Sequence, residues 1–130
     1  MMHPTPADAA EDAQPVIDLD HLRSFTDGDP QLEGELLTLY LSTTDVYLAR
    51  MAEAVAAGDS WTATAHALKG ASANLGARRV MAIALVAEHT APDAGQLQAL
   101  RGAVGEVRAL ATTMPGWAAA QAGASADGAA

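Results

Sequence analysis

The stretch T-A-H-A-L-K-G-A-S-A-N-L-G-A, Thr64 to Ala77, holds the side chains best placed to do chemistry. On a helix, His66 shares one face with Lys69 at i+3, Gly70 at i+4 and Ala73 at i+7. Trp61, Ala65, Leu68, Ser72 and Leu75 form the opposite, apolar stripe. His66 points roughly 160° away from Leu68 at about 100° per residue, so the stripe packs inward and the imidazole meets water. With a reference pKa near 6.5, an imidazole is largely neutral and nucleophilic at pH 7, and the charge of Lys69 further disfavours its protonation. A glycine in an exposed helix interior costs about 1 kcal/mol relative to alanine. A helix that keeps Gly70 beside His66 is arranged for something to come close to an unprotonated imidazole.

The charge distribution points the same way. The net charge is −9, from 7 basic and 16 acidic residues, which argues against nucleic acid and anionic membrane as partners. Nine of the acids lie within residues 1–35, whereas 60–87 contains Lys69, Arg78 and Arg79 and no acid. A cationic patch on an acidic chain suggests an anionic ligand or partner surface.

The pattern His66-x-Leu68-Lys69-Gly70-x-Ser72-x-x-x-Gly76-Ala77 resembles the signature of histidine-containing phosphotransfer (HPt) domains of multistep phosphorelays, and the similarity extends over roughly residues 17–111. The resemblance implies a helical bundle whose exposed His66 accepts a phosphoryl group at Nε2 from a receiver domain's aspartyl phosphate and hands it to another receiver. The implied partners are receiver domains of a hybrid histidine kinase and of a response regulator. It also implies that Mg²⁺ and the catalytic acids belong to the receiver, so that this chain has no cofactor of its own. Phosphoryl transfer is mostly positioning and neutralisation of spread negative charge. Lys69 is expected to supply that neutralisation, Gly70 to give the partner access, and Ala73, Arg78 and Arg79 to touch the partner. The plain alternative for the two arginines is simple solvation. Ser72 and Gly76 read as structural, Gly76 as the break after the helix.

No Gly-rich nucleotide loop is present, so autonomous kinase activity is not expected; the chain reads as a carrier rather than an enzyme. The absence of cysteine excludes disulfides and thiolate chemistry. No apolar run approaches the roughly 20 residues of a membrane span, and no signal peptide is recognisable. A monomer in the cytoplasm is the expectation.

The elements that must position His66 follow from periodicity. Half of the residues are hydrophobic by virtue of alanine, and only five are aromatic, which reads as all-α. Residues 1–16 are expected to be a disordered leader, 17–114 the bundle, and 115–130 a low-complexity tail, with Trp117 able to fold back. Asp18 caps a short first helix carrying Leu19, Leu22 and Phe25, which ends near Asp27-Gly28 and lies across the bundle end. His21 is expected on its surface. Asp29-Pro30 starts a long helix with Leu32, Leu36, Leu39, Tyr40, Thr43, Tyr47, Met51 and Val55 inward, ending at Gly58. Asp59 is expected to cap the helix that carries His66. A fourth helix, 78–89, turns Val80, Ile83, Ala84 and Ala87 inward and leaves Met81, Leu85 and Val86 outside that stripe, as either buried surface or a sticky patch. After Asp93, Leu97, Leu100, Val104, Val107 and Ala111 give the cleanest stripe. Gly95, Gly102 and Gly105 could allow close approach of a neighbour. Short turns between four long helices predict an antiparallel up-down-up-down four-helix bundle with a short N-terminal capping helix.

Two other functions compete. A bundle metal site from His66, His89 and His21 lacks the i, i+3 or i+4 pairing that helical sites use. A non-phosphorylated adaptor that binds a receiver or a histidine kinase would have little use for the exposed histidine.

Overall fold

The structure, a computed structural model, describes residues 14–129, with side chains as far as Gly123. Every regular element among these residues is helical: α1 (Leu19–Thr26), α2 (Pro30–Ala57), α3 (Thr62–Leu75), α4 (Arg78–Glu88), α5 (Ala94–Ala111) and α6 (Trp117–Ala129). Helix α2 packs on α3 and α5, and α4 packs on the same two, so these four enclose one core. No helix among the described residues is long and apolar enough to cross a membrane.

Local chemistry sets the boundaries. The carboxylates of Asp18, Asp29 and Asp93 accept backbone N–H groups of His21, Gln31 and Gln96 at the starts of α1, α2 and α5, satisfying donors that a helix leaves open. Asp59 does not do this for α3. That helix starts later, with Trp61 at the cap position and no side-chain cap, while Ser60 Oγ accepts from the Thr62 N–H at 3.3 Å.

The inward stripes of α3 and α5 are buried as their spacing predicts. On α3 these are Trp61, Ala65, Leu68, Ser72 and Leu75; on α5, Leu97, Leu100, Val104, Val107 and Ala111. On α4, Val80, Ala84 and Ala87 are buried and Ile83 partly so, while Leu85 and Val86 lie on the surface. On α2 the structure corrects the sequence reading. Tyr40 and Met51 are buried as expected and Tyr47 and Val55 partly so, but Leu37, Leu41, Thr44, Leu48 and Ala54 fill the interior beside them, whereas Leu39 is 64% exposed. Leu32, Leu36, Leu39 and Thr43 instead line an open groove. The helix is apolar over more than one face, so periodicity alone could choose the wrong stripe.

The C-terminal segment is the second correction. Residues 1–13 of the expected leader lie outside the described residues, but the expected tail forms α6, which packs along α2. Gly34 and Gly116 make that contact possible. A Cβ on Gly34 would run into the Gly116 backbone, and one on Gly116 would run into the Pro30 carbonyl. Ala120 is buried beside them, and Gln121 Nε2 donates to Thr38 Oγ1 at 2.7 Å. Trp117 folds onto the bundle and is partly buried. The close approach that α5 glycines were expected to permit does not occur there, since a Cβ on Gly102 or Gly105 would meet nothing within 4 Å.

Candidate functional site

Helix α3 is fixed along its inner face by its apolar stripe and at two further points. Tyr40 Oη and Ser72 Oγ share a buried hydrogen bond of 2.7 Å, which assigns the motif serine to packing between α2 and α3. Burial pushes the Tyr40 phenol up to about 12, against the opposing pull of Ser72, so this contact stays between neutral partners. At the far end, Gly76 ends α3 with φ +92°, and a Cβ there would lie 3.1 Å from the Asp18 carbonyl oxygen. The Asp18 N–H donates to the Gly76 carbonyl at 2.8 Å, so α1 is seated directly on this turn. Both reasons demand glycine.

The turn at Gly76-Ala77 folds α4 back along α3. Trp61 locks the other end of this pair: its indole N–H donates to the carbonyls of Ala87 at 2.8 Å and Thr90 at 3.1 Å. The C-terminus of α4 is thereby held beside the first turns of α3, and Glu88 comes to face His66. Glu88 Oε1 lies 2.5 Å from His66 Nδ1, and Glu88 Oε2 lies 2.6 Å from Lys69 Nζ. The His66 side chain remains 67% exposed, whereas Glu88 is only 11% exposed. The hydrogen bonds from Lys69 and then from His66 hold the Glu88 carboxyl below the usual glutamate range. As a carboxylate it can only accept, so Nδ1 carries the ring proton and the Nε2 lone pair is the free nucleophilic position.

Several sequence expectations now have positions. His66 is on the surface, with Lys69 and Ala73 half-buried on the same flank. Gly70 is exposed, and a Cβ there would meet nothing within 4 Å, so nothing inside the molecule requires glycine. Lys69 is engaged by Glu88 on the Nδ1 side of the ring rather than standing free at Nε2. Nor is the patch of 60–87 purely cationic in space. Arg78 Nη2 lies 3.5 Å from Asp18 Oδ2, and Arg79 pairs with Glu106 and donates to the Gln14 carbonyl. The structure uses both arginines to hold the N-terminal segment and α5, and it does not bring them to His66. His21, expected on the surface, donates from Nε2 to the Asn74 carbonyl at 3.0 Å and adds to the same seat of α1 on α3.

Glu88 is the residue the sequence reading missed. Its signal was present in the register: the turn centres on Ala77, eleven residues after His66 and eleven before Glu88. Two antiparallel helices joined at that turn bring such a pair to one level.

Beside the glycine gap lies an open apolar groove of about 560 Å³ between α1, α2 and α3. Leu22 and Phe25 of α1, Leu36 and Leu39 of α2, and Ala71 and Asn74 of α3 form its walls. Phe25 is 60% exposed, so large apolar side chains stand in water there. Among the described residues no group of three or more His, Cys, Asp or Glu side chains is placed to hold a metal ion.

An exposed imidazole with one nitrogen anchored, on a motif helix in this bundle, agrees with comparison by sequence. The family model of the Hpt domain matches residues 35–117, well over half of the chain. The chain belongs to the Hpt domain family. No curated protein and no solved structure matches it. Hpt domains are phosphocarrier modules of phosphorelays that interact with receiver domains of two-component systems. The matched span of this Hpt domain starts inside α2 and ends at Trp117. Helix α1, which completes the groove, and nearly all of α6 lie outside it.

Proposed function

We propose that this Hpt domain relays a phosphoryl group between receiver-domain aspartates through phospho-His66, taking it from a hybrid histidine kinase's receiver and passing it to a response regulator. The observation that carries this reading is the His66 ring, exposed, anchored at Nδ1 by Glu88 and open at Nε2 beside the vacant Cβ space of Gly70. The Nε2 lone pair attacks phosphorus in line, and the receiver aspartate leaves as carboxylate. Mg²⁺ held by the receiver's own acids would supply polarisation of the phosphoryl oxygens. Lys69 brings a compensating positive charge to the same flank, shared with Glu88. The receiver docks over the α1–α2–α3 groove, whose Phe25 and Leu39 offer the apolar contact area, with Ala73 at its margin and the glycine gap beneath the reacting atoms. Arg78 and Arg79 are left out of that contact because their partners are intramolecular. The reading takes the four core helices as an up-down-up-down bundle capped by α1, acting as a monomer in the cytoplasm.

The deciding experiment mixes the protein with a receiver domain phosphorylated in advance by acetyl phosphate and follows the label. Transfer to wild type, lost in His66→Gln with receiver binding retained, supports the carrier. Equal labelling of the variant rejects it.

A further inference from the structure

Helix α2 changes neighbours along its length. Midway along it Arg108 of α5 reaches Asp45 at 3.1 Å, and α5 ends soon afterwards at Ala111. Nearer the start of α2, α6 takes over: Gly116 lies against Pro30 and Gly34, Ala120 sits beside Gly34, and Gln121 donates to Thr38. The same turns of α2 are tied to α1 through Glu33, which is 4% exposed. Its Oε2 accepts from Thr26 Oγ1 at 3.0 Å and lies 3.7 Å from Arg23 Nε. The stretch 30–39 is therefore held between α1 and α6.

Leu32, Leu36 and Leu39, which line the groove, all belong to this stretch. At about 100° per residue they lie roughly 140–160° around α2 from Gly34. Helix α6 thus presses on one side of α2, and the groove opens on the other. We propose that α6 is the backing that holds the α2 wall of the groove in place, so that release of α6 weakens receiver docking while the chemistry at His66 is unchanged. This rests on the carrier reading above, with the receiver seated on the groove.

The seat of α6 is slight enough to be released. After Trp117, residues 118–123 include no large apolar side chain, so the hold comes from Trp117, Ala120 and the hydrogen bond of Gln121. Few buried apolar contacts place a segment at the low-stability end of a fold. The crossing also needs two absent side chains at once, because a Cβ on Gly34 or on Gly116 would run into backbone. Glu33, next to Gly34, passes a shift of α2 to Thr26 and Arg23 of α1, the helix that supplies Leu22 and Phe25 to the groove. The His66 ring stands apart from this chain of contacts, since Glu88 of α4 anchors it.

The test substitutes Gly34→Ala in the full chain. The added Cβ falls where the Gly116 backbone lies and points away from the groove, so it displaces α6 without altering a side chain that lines the groove. Amide hydrogen exchange in α6 verifies the release. Label transfer from a receiver phosphorylated by acetyl phosphate should then show KM raised at least about fivefold with kcat unchanged, the signature of lost binding rather than lost chemistry. Labelling of His66 by phosphoramidate, which needs no protein partner, should be unchanged. A released α6 with KM as in wild type, or a loss that appears equally with phosphoramidate, would overturn the inference; a purely structural α6 would lower Tm and leave KM alone. Where Gly34→Ala leaves α6 seated or does not fold, wild type alone decides, because coupling between two sites is reciprocal. Saturating unphosphorylated receiver must slow amide exchange in α6, and exchange that it leaves unaltered overturns the inference. Failure of the carrier reading shows itself separately, as a wild type that binds receivers without being labelled while exchange in α6 still reports on docking.

Discussion

Replacing Gly70 separates folding from function more cleanly than any other change in this molecule. The residue lies mid-helix in α3, and a Cβ there would meet nothing within 4 Å. Gly70→Ala therefore gains the helix propensity that glycine forgoes, about 1 kcal/mol, which in a chain of this size raises Tm by about 4 °C. On the proposed function, the same methyl occupies the space through which a donor would bring phosphorus to about 3–3.5 Å from Nε2. A displacement on the order of 1 Å from in-line geometry costs about 100-fold in rate, so Gly70→Leu is expected to slow transfer by about that factor and Gly70→Ala by about tenfold. Rapid-quench measurement of label transfer from a phosphorylated receiver, alongside thermal melts by circular dichroism, reads both quantities on one preparation. A leucine variant that transfers at the wild-type rate would refute the close-approach argument, and a fall in Tm for the alanine variant would refute the open-space argument.

Leu39→Asp puts a charge in the groove at a side chain that is already 64% exposed; receiver titrations should show KM for transfer raised at least tenfold with Tm within about 2 °C of wild type, within the usual range for surface changes. Ser72→Ala orphans the buried Tyr40 hydroxyl and should cost about 1–3 kcal/mol in urea denaturation, without altering the chemistry at His66. Asp18 and Glu88 both have depressed carboxyl groups, Asp18 mainly through the His21 backbone N–H and Glu88 mainly through Lys69. Their contribution is complete above the unfolded values of 3.8 and 4.5 and is lost as pH falls through the lower folded values. Melts should accordingly hold steady near neutrality and decline below about pH 4.5, and Glu88→Gln should flatten part of that decline.

The parts of this architecture that were legible in the chain are those where one rule acts alone. A stripe that faces a single core, as on α3 and α5, repeats at helical spacing and is buried where expected. Asp18, Asp29 and Asp93 cap because each stands just before a helix within reach of its open backbone N–H groups, Asp18 using one oxygen for the cap and the other for Arg78. Helix α2 only partly yielded to the same method because it faces α3, α5, α6 and an open groove, so its apolar residues cover several arcs: Tyr40 and Met51 are buried as expected, whereas Leu32, Leu39 and Thr43 wall the groove. Helix α6 was hidden by its plainness: an alanine-rich run looks like filler, although alanine is the strongest helix former and its small side chains suit the tight crossing at Gly34. The pairings of Arg78 with Asp18 and of Arg79 with Glu106 span 60 and 27 residues. Counting charges along a window could not see them, and it turned a neutralised surface into an apparent cationic one.

His66 stands on α3, the helix whose Ala71 and Asn74 wall the apolar groove, so on the proposed docking a receiver seated on the groove and reacting at the imidazole occupies both. On the proposed function, donor and acceptor would take turns at this one imidazole, the second landing only after the first has gone. Turnover would then follow how quickly a spent partner lets go, which favours loose, short-lived encounters over tight ones. For such a single-berth ferry, a variant that grips either receiver too firmly would carry less signal.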